Sequence, residues 1–203
     1  MNLDTQGSTG LHDALARFHE LWNRARADEP WESDAMTLAT VSAQGRVRAR
    51  TVLLKRADET GFVFYTNYES RKGNDLETNP QAALCFFWRT LRRQVTVEGQ
   101  VHRLDADTSD AYFATRNRRA QLGAWASAQS RPLAARTELE ARLCELELQY
   151  AGQEVPRPPH WGGYCLVPDL IEFWSPGEGR LNERERYFLD PESGNWQFEL
   201  LNP

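Results

Sequence analysis

Four groups of residues carry chemistry that their spacing makes useful. Ser70-Arg71-Lys72 opens a segment whose serine reads as a helix N-cap, which gathers free backbone N–H groups, a hydroxyl, a guanidinium and an ammonium at one helix start. Cations there oppose the helix dipole, which favours anions, so the arrangement makes sense if a phosphate is held between them. A solvated, charged helix start would use the same residues. Arg46, Arg48 and Arg50 alternate and share one face of a strand that ends in Lys55. They read either as an exposed basic face or as the wall of a site for an anionic cofactor. The odd offset between Arg50 and Lys55 points them to opposite faces of a regular strand. Both reach one ligand only if a bulge intervenes or the ligand wraps an edge. Tyr112 and Arg116, at i and i+4, put a phenol and a guanidinium on one helical face, and with Lys55 they could clamp a second phosphate. An ordinary charged surface helix has that spacing too. In the stretch Glu172 to Arg184, aromatic residues, a Gly/Pro turn and two arginines follow one another, as in planar-ligand sites and also in ordinary hairpins.

The elements that must position these residues are mostly short strands. Residues 36–41, 46–55, 62–66, 82–88 and 94–104 read as strands joined by short turns, several with glycine, which calls for antiparallel pairing. Strands are expected again over 164–167, 171–174, 184–189 and 196–201. An amphipathic helix is expected over Leu11 to Ala27, further helices over Asp107 to Thr115 and over Leu133 to Tyr150, where Leu139, Leu143, Leu146 and Tyr150 recur at helical spacing, and a short one after Ser70 ends before Asn79-Pro80. The segment Glu154-Val155-Pro156-Arg157-Pro158-Pro159 reads as a stiff exposed loop. Residues 1–10 read as a mobile segment, and residues 11–203 as a single domain: a mainly β, α+β fold in which helices surround a barrel.

The bulk properties exclude several classes. With 203 residues, 40% hydrophobic, the chain can bury a sizeable core. A net charge of −5 argues against binding nucleic acid through overall charge. Cys85, Cys144 and Cys165 are odd in number and far apart, and the four histidines have no metal-ligand spacing. With no signal peptide and no apolar run of membrane-spanning length, these features predict a cytoplasmic protein without a metal site or a membrane partner. Walker, GxGxxG, GxSxG and HExxH motifs are absent from the sequence.

Together these segments resemble the pyridoxamine 5'-phosphate oxidase family, collinearly from about Ala35 to Pro203. The resemblance rests on Arg50 to Lys55, Phe64-Tyr65-Thr66-Asn67, Ser70-Arg71-Lys72, Arg93-Gln94-Val95, Tyr112-Phe113 with Arg116, Gln121 to Trp125, Gln129-Ser130, Trp161-Gly162-Gly163, Ile171 to Trp174, and Arg180-Leu181 with Arg184. It implies an antiparallel FMN-binding split β-barrel and a homodimer with FMN at the subunit interface. By matched position, Arg50, Lys55, Tyr65, Thr66, Arg71, Lys72, Gln94, Gln129, Ser130, Trp174 and Arg184 would contact FMN. Lys55, Tyr112 and Arg116 would hold the substrate phosphate, with Ala120 at a further position of that clamp. Arg180 would press the pyridine ring against the flavin, with Asn182 beside it. The implied reaction takes pyridoxamine or pyridoxine 5'-phosphate to pyridoxal 5'-phosphate, moving a hydride from C4' to flavin N5, after which O2 becomes hydrogen peroxide. The chain departs from the family in three places. Asn182 replaces a usual histidine, Ala120 replaces a usual serine, and residues 1–10 lack the basic-aromatic segment that often covers the site. All three concern the substrate side. They keep two other readings open: an FMN oxidase of the same fold acting on another planar substrate, as phenazine-pathway oxidases do, or a flavin- or vitamer-binding protein with little turnover.

Overall fold

The computed structural model describes residues 6–28 and 32–203. Helix α1 (Gln6–Asp28) already begins before Leu11, while residues 1–5 of the expected mobile segment lie outside the described residues. Its apolar face repeats at helical spacing, with Ala14, Leu15, Phe18, Leu21, Trp22 and Ala25 all buried. Phe18 is its deepest anchor, with its ring centroid 5.0 Å from Phe62 and 5.1 Å from Phe86.

Strands β1 (Ala35–Val41), β2 (Val47–Leu53), β3 (Arg56–Asp58) and β4 (Gly61–Asn67) precede helix α2 (Arg71–Thr78). Strands β5 (Gln81–Trp88) and β6 (Arg93–Arg103) then form a hairpin. Helices α3 (Ala106–Ala114), α4 (Arg118–Ala126) and α5 (Arg136–Gln149) follow, then β7 (Trp161–Ser175), a 3-10 turn over Glu178–Arg180, β8 (Glu183–Leu189) and β9 (Trp196–Leu201). Every strand pair is antiparallel, in the order β2-β1-β5-β6-β7-β4-β3. The two ends of that order are consecutive in the chain, and the Lys55 N–H donates to Val63 O at 2.8 Å. No ladder joins β2 to β3 among the described residues, so the sheet stays open along this seam: it is a split barrel.

The structure departs locally from the sequence reading. Strands expected over 164–167 and 171–174 are one 15-residue strand, β7. Pro168 is tolerated because the register shifts between Glu98 and Gly99 opposite it, where a Cβ on Gly99 would lie 2.0 Å from Val167 O. Beyond the bulge β7 keeps β6 on one edge but changes partner on the other, from β4 (at Trp161 to Leu166) to β8 (at Leu170 to Ser175). Helix α4 is unanticipated; it starts at Asn117, whose side chain accepts from Ala120 N at 2.9 Å. The loop before β7 is not exposed throughout, since Val155 and Pro158 are buried. Val155 joins Phe113, Leu122 and Trp161 in a second apolar cluster beneath α3 and α4.

Candidate active site

A cleft of about 700 Å³ opens at the barrel seam, walled by β2, β4, α3 and the starts of α2 and α4. Arg50, Lys55, Lys72 and Arg116 line it, and among the described residues no carboxylate does. The odd offset between Arg50 and Lys55 is resolved at this seam. Strand β2 ends at Leu53, and Lys55 has crossed to pair with β4, so both cations face one cavity without a bulge.

The α2 start is organised by local bonds that suit it to an anion. Ser70 caps the helix, accepting from Gly73 N at 3.3 Å and donating to Asn67 O at 2.7 Å. The Arg71 N–H donates to Ser130 Oγ at 3.3 Å, which brings the Gln129-Ser130 segment against the helix start. Lys72 Nζ donates to Gln129 Oε1 (2.7 Å), Thr66 Oγ1 (3.0 Å) and Ser70 Oγ (3.3 Å), all neutral acceptors. Burial, with the Arg50 charge nearby, pulls the Lys72 ammonium down to about 8. Arg50 is itself lowered by burial, with Asp75 opposing that shift. Asp75, almost fully buried, accepts from Thr40 Oγ1 (2.8 Å) and Arg48 Nη1 (2.6 Å), and one of its oxygens lies 3.7 Å from Arg50 Nη2. It braces the basic strand against α2.

At the other end of the cleft, aromatic rings stack. Tyr65 and Tyr112 lie 3.8 Å apart at 13°, and Tyr65 and Trp161 lie 5.4 Å apart at 13°. The Arg116 guanidinium carbon sits 4.5 Å above the Trp161 ring. Arg116 Nη1 is buried and finds no hydrogen-bond partner among the described residues. Burial lowers the Arg116 guanidinium and raises the Tyr112 and Tyr65 phenols. A buried donor left without an acceptor is costly, and a bound anion relieves that cost. The residues present therefore fit two phosphate-bearing molecules: one at α2, the other at Arg116. Ala120 lines the space between Arg116 and Gln129.

The remaining expected residues lie elsewhere. Gln94, Trp174 and Arg184 form one rung across β6, β7 and β8, with Gln94 opposite Trp174 and Trp174 opposite Arg184. Arg184 makes a two-pronged ion pair with Glu172 (2.8 and 3.0 Å). Arg180 holds a left-handed backbone (φ +66°), and the Asn182 carboxamide oxygen accepts from Gly177 N at 3.3 Å. None of the five lines the cleft of its own chain. Two contributors went unassigned in the sequence: Trp161, which floors the clamp, and Asp75, which braces Arg50. The sequence signal for Asp75 is an acid one turn into a basic helix start, with Glu69 and Glu77 on either side of it.

Residues 24–150 match the family model described as pyridoxamine 5'-phosphate oxidase, and residues 161–203 the one described as the pyridoxine 5'-phosphate oxidase C-terminal dimerisation region. The chain belongs to the pyridoxamine 5'-phosphate oxidase family. Among its relatives, the pyridoxine/pyridoxamine 5'-phosphate oxidase of Myxococcus xanthus (strain DK1622) is 53% identical over 191 residues, covering 94% of this chain and 92% of that protein. The protein of the same name from Bordetella petrii is 51% identical over 201 residues, covering 97% and 94%. Among solved structures, PhzG from Burkholderia lata 383 in complex with tetrahydrophenazine-1-carboxylic acid aligns with a TM-score of 0.84 at 31% identity, over 93% of this chain and 92% of that one. A pyridoxamine 5'-phosphate oxidase-related, FMN binding protein from Nostoc punctiforme shares the fold, with a TM-score of 0.73 at 19% identity over 93% and 96%. The pyridoxamine 5'-phosphate oxidase family is one of FMN-dependent oxidases, and this chain is an enzyme of that class.

Proposed function

We propose that this enzyme oxidises pyridoxamine and pyridoxine 5'-phosphate to pyridoxal 5'-phosphate, as a cytoplasmic homodimer with FMN as cofactor and O2 as electron acceptor, giving hydrogen peroxide. One observation carries the reading: a cleft with four cations and, among the described residues, no lining carboxylate and no hydrogen-bond acceptor for Arg116 Nη1, in which the phosphate-ready helix start and that donor stand at separate ends. Ser70, Arg71, Lys72, Gln129 and Ser130 would hold the FMN phosphate, and Arg50, Tyr65 and Thr66 the rest of that cofactor. Bound FMN supplies a two-electron acceptor for the hydride leaving C4'. Lys55, Tyr112 and Arg116 fix the substrate by its phosphate, so binding energy remote from C4' orients the carbon that reacts. The rung of Gln94, Trp174 and Arg184, with Arg180 and Asn182, completes the cleft of a second copy. Its position at or beside the dimerisation region supports that assignment. No described helix is long and apolar enough to cross a membrane.

Lys72 makes cofactor retention depend on pH. Its ammonium, held at about 8, loses charge as pH rises through that value. The FMN dissociation constant is therefore expected to climb above pH 8, by at most about tenfold per pH unit, because one proton is linked to binding. The contribution to stability runs the other way. Between about 8 and the ordinary lysine value of 10.5 the unfolded chain holds more protons than the flavin-free fold, so this residue makes the apoprotein more stable as pH rises. Flavin fluorescence titrations from pH 7 to 10 test the first effect, and an affinity flat across that range contradicts it.

A second reading, a flavin oxidase for another planar acid, is favoured by Ala120, which removes a hydroxyl from the clamp, and by the 31% identity to PhzG. Anaerobic mixing of the holoprotein with pyridoxamine 5'-phosphate separates the two. Loss of flavin absorbance is expected. Loss only with tetrahydrophenazine-1-carboxylic acid would install the second reading, and no loss with either would leave a binding protein.

A further inference from the structure

We infer that Arg157 is a positioning residue for the anion clamp: it ties α3 to the first residue of β7 and so sets where Arg116 lies over Trp161. This deepens the proposed function and rests on it for the identity of the anion. Arg157 stands in the proline-rich loop before β7, yet its side chain is only 13% exposed. Its Nε donates to Asp110 Oδ1 on α3 at 2.5 Å, and its Nη1 donates to Trp161 O at 2.6 Å. One planar, charged fork thus spans α3 and β7, which also meet where the Gly163 N–H donates to Ser109 Oγ at 3.2 Å and where Phe113 packs against Trp161. Asp110 precedes Tyr112 on α3, and Arg116 follows the helix in the turn to α4, where its N–H donates to Phe113 O at 3.1 Å. The Trp161 ring is stacked on Tyr65 and lies under the Arg116 guanidinium. Every clamp group except Lys55 is therefore attached to one or other of the elements that Arg157 joins.

The loop is suited to this work. Pro156, Pro158 and Pro159 restrict its backbone, so the guanidinium is presented with few alternatives. Two further bonds pin the loop from α4: Arg118 Nη1 to Gln153 O at 2.9 Å and Trp125 Nε1 to Pro156 O at 2.7 Å. Those bonds hold the loop, and the Trp161 N–H donates to Pro158 O at 3.1 Å; the Arg157 side chain bonds both Asp110 on α3 and Trp161 at once. A guanidinium that merely stapled the surface would leave substrate parameters untouched.

The experiment compares Arg157→Leu, Arg157→Lys and Asp110→Asn with the wild type as FMN-loaded holoprotein. Three quantities are read: KM and kcat for pyridoxamine 5'-phosphate, affinity for inorganic phosphate and for pyridoxal 5'-phosphate by calorimetry, and FMN affinity. Arg157→Leu is expected to raise KM and weaken both anions by about tenfold, since a clamp misplaced by a fraction of an ångström loses much of its binding, while kcat changes less than KM and FMN affinity holds. Arg157→Lys, which keeps the charge but cannot fork, should fall between, and Asp110→Asn should weaken the anions in the same direction. A lowered melting temperature with unchanged KM and unchanged anion affinities would show a surface staple and overturn the inference. A wild type that binds inorganic phosphate but neither binds nor turns over a B6 phosphate overturns the proposed substrate instead, and the phosphate titrations still decide Arg157. A wild type that takes neither anion overturns both.

Discussion

Replacing Arg116 with alanine is expected to raise KM for pyridoxamine 5'-phosphate by roughly a hundredfold while FMN stays bound. A hydrogen bond to a charged group contributes about 1.5–3 kcal/mol, and a guanidinium can offer a phosphate two of them, so the loss amounts to about 3 kcal/mol or more. The same change should not harm the fold. Arg116 Nη1 is buried without a hydrogen-bond partner among the described residues, and burial already lowers the guanidinium, so the apoprotein bears a desolvation cost that alanine removes. Thermal melting of the flavin-free variant should therefore match or exceed the wild type. Arg116→Lys should fall between, because an ammonium keeps the charge and loses the planar fork. Steady-state kinetics beside melting curves check both halves. A large drop in melting temperature with little change in KM would make Arg116 a structural cation.

Gly73→Ala is expected to destabilise the protein by about 2–4 kcal/mol and to strip its flavin, although helix propensity alone favours alanine by about 1 kcal/mol. Gly73 lies in the first turn of α2, where its N–H donates to the Ser70 hydroxyl oxygen. A Cβ there would lie 1.9 Å from Tyr68 O and 2.5 Å from Tyr68 C, both backbone atoms that cannot swing aside. The helix start must back away from the Tyr68-Glu69-Ser70 turn, which carries the cap. The paired readouts are the denaturant midpoint and the flavin titration. If both match the wild type, the close approach is not what keeps residue 73 a glycine.

What the sequence disclosed about the site was mostly what local chemistry encodes. Ser70 as a cap and the basic residues behind it depend on neighbours within a turn or two, and the structure has that cap; Tyr112 and Arg116 line one cleft but not from one helical face, because α3 ends at Ala114 and Arg116 lies in the turn before α4. The antiparallel split barrel and the family followed from the order of short segments. Other features depended on contacts distant in sequence. Nothing in Arg50 to Lys55 announces that the strand breaks at Leu53 and rejoins β4, because the break is made by the sheet's open seam. Helix α4 escaped notice because its nine residues include Gly123 and three alanines, which leave a weak amphipathic pattern. The roles of Trp161 and Asp75 appear only once β7 has paired with β4 and α2 has settled on β1.

The change of partner along β7 also sets the timing of assembly during synthesis. Strand β4, which carries Tyr65 and Thr66, takes β7 as a neighbour, with Asn67 opposite Trp161 and Phe62 opposite Leu166. A nascent chain that has emerged only through α5 has β2, β4 and α2 but lacks the strand that holds β4 in the sheet. Most of the residues that line the cleft are thus translated long before they can converge, and closing so long a loop favours slow, late folding. Flavin should therefore not be captured on the ribosome until β7 has cleared the exit tunnel. Until then the bare edge of β4 is exposed to other unfolded chains, and a chaperone that shields strand edges would have most to do in that interval.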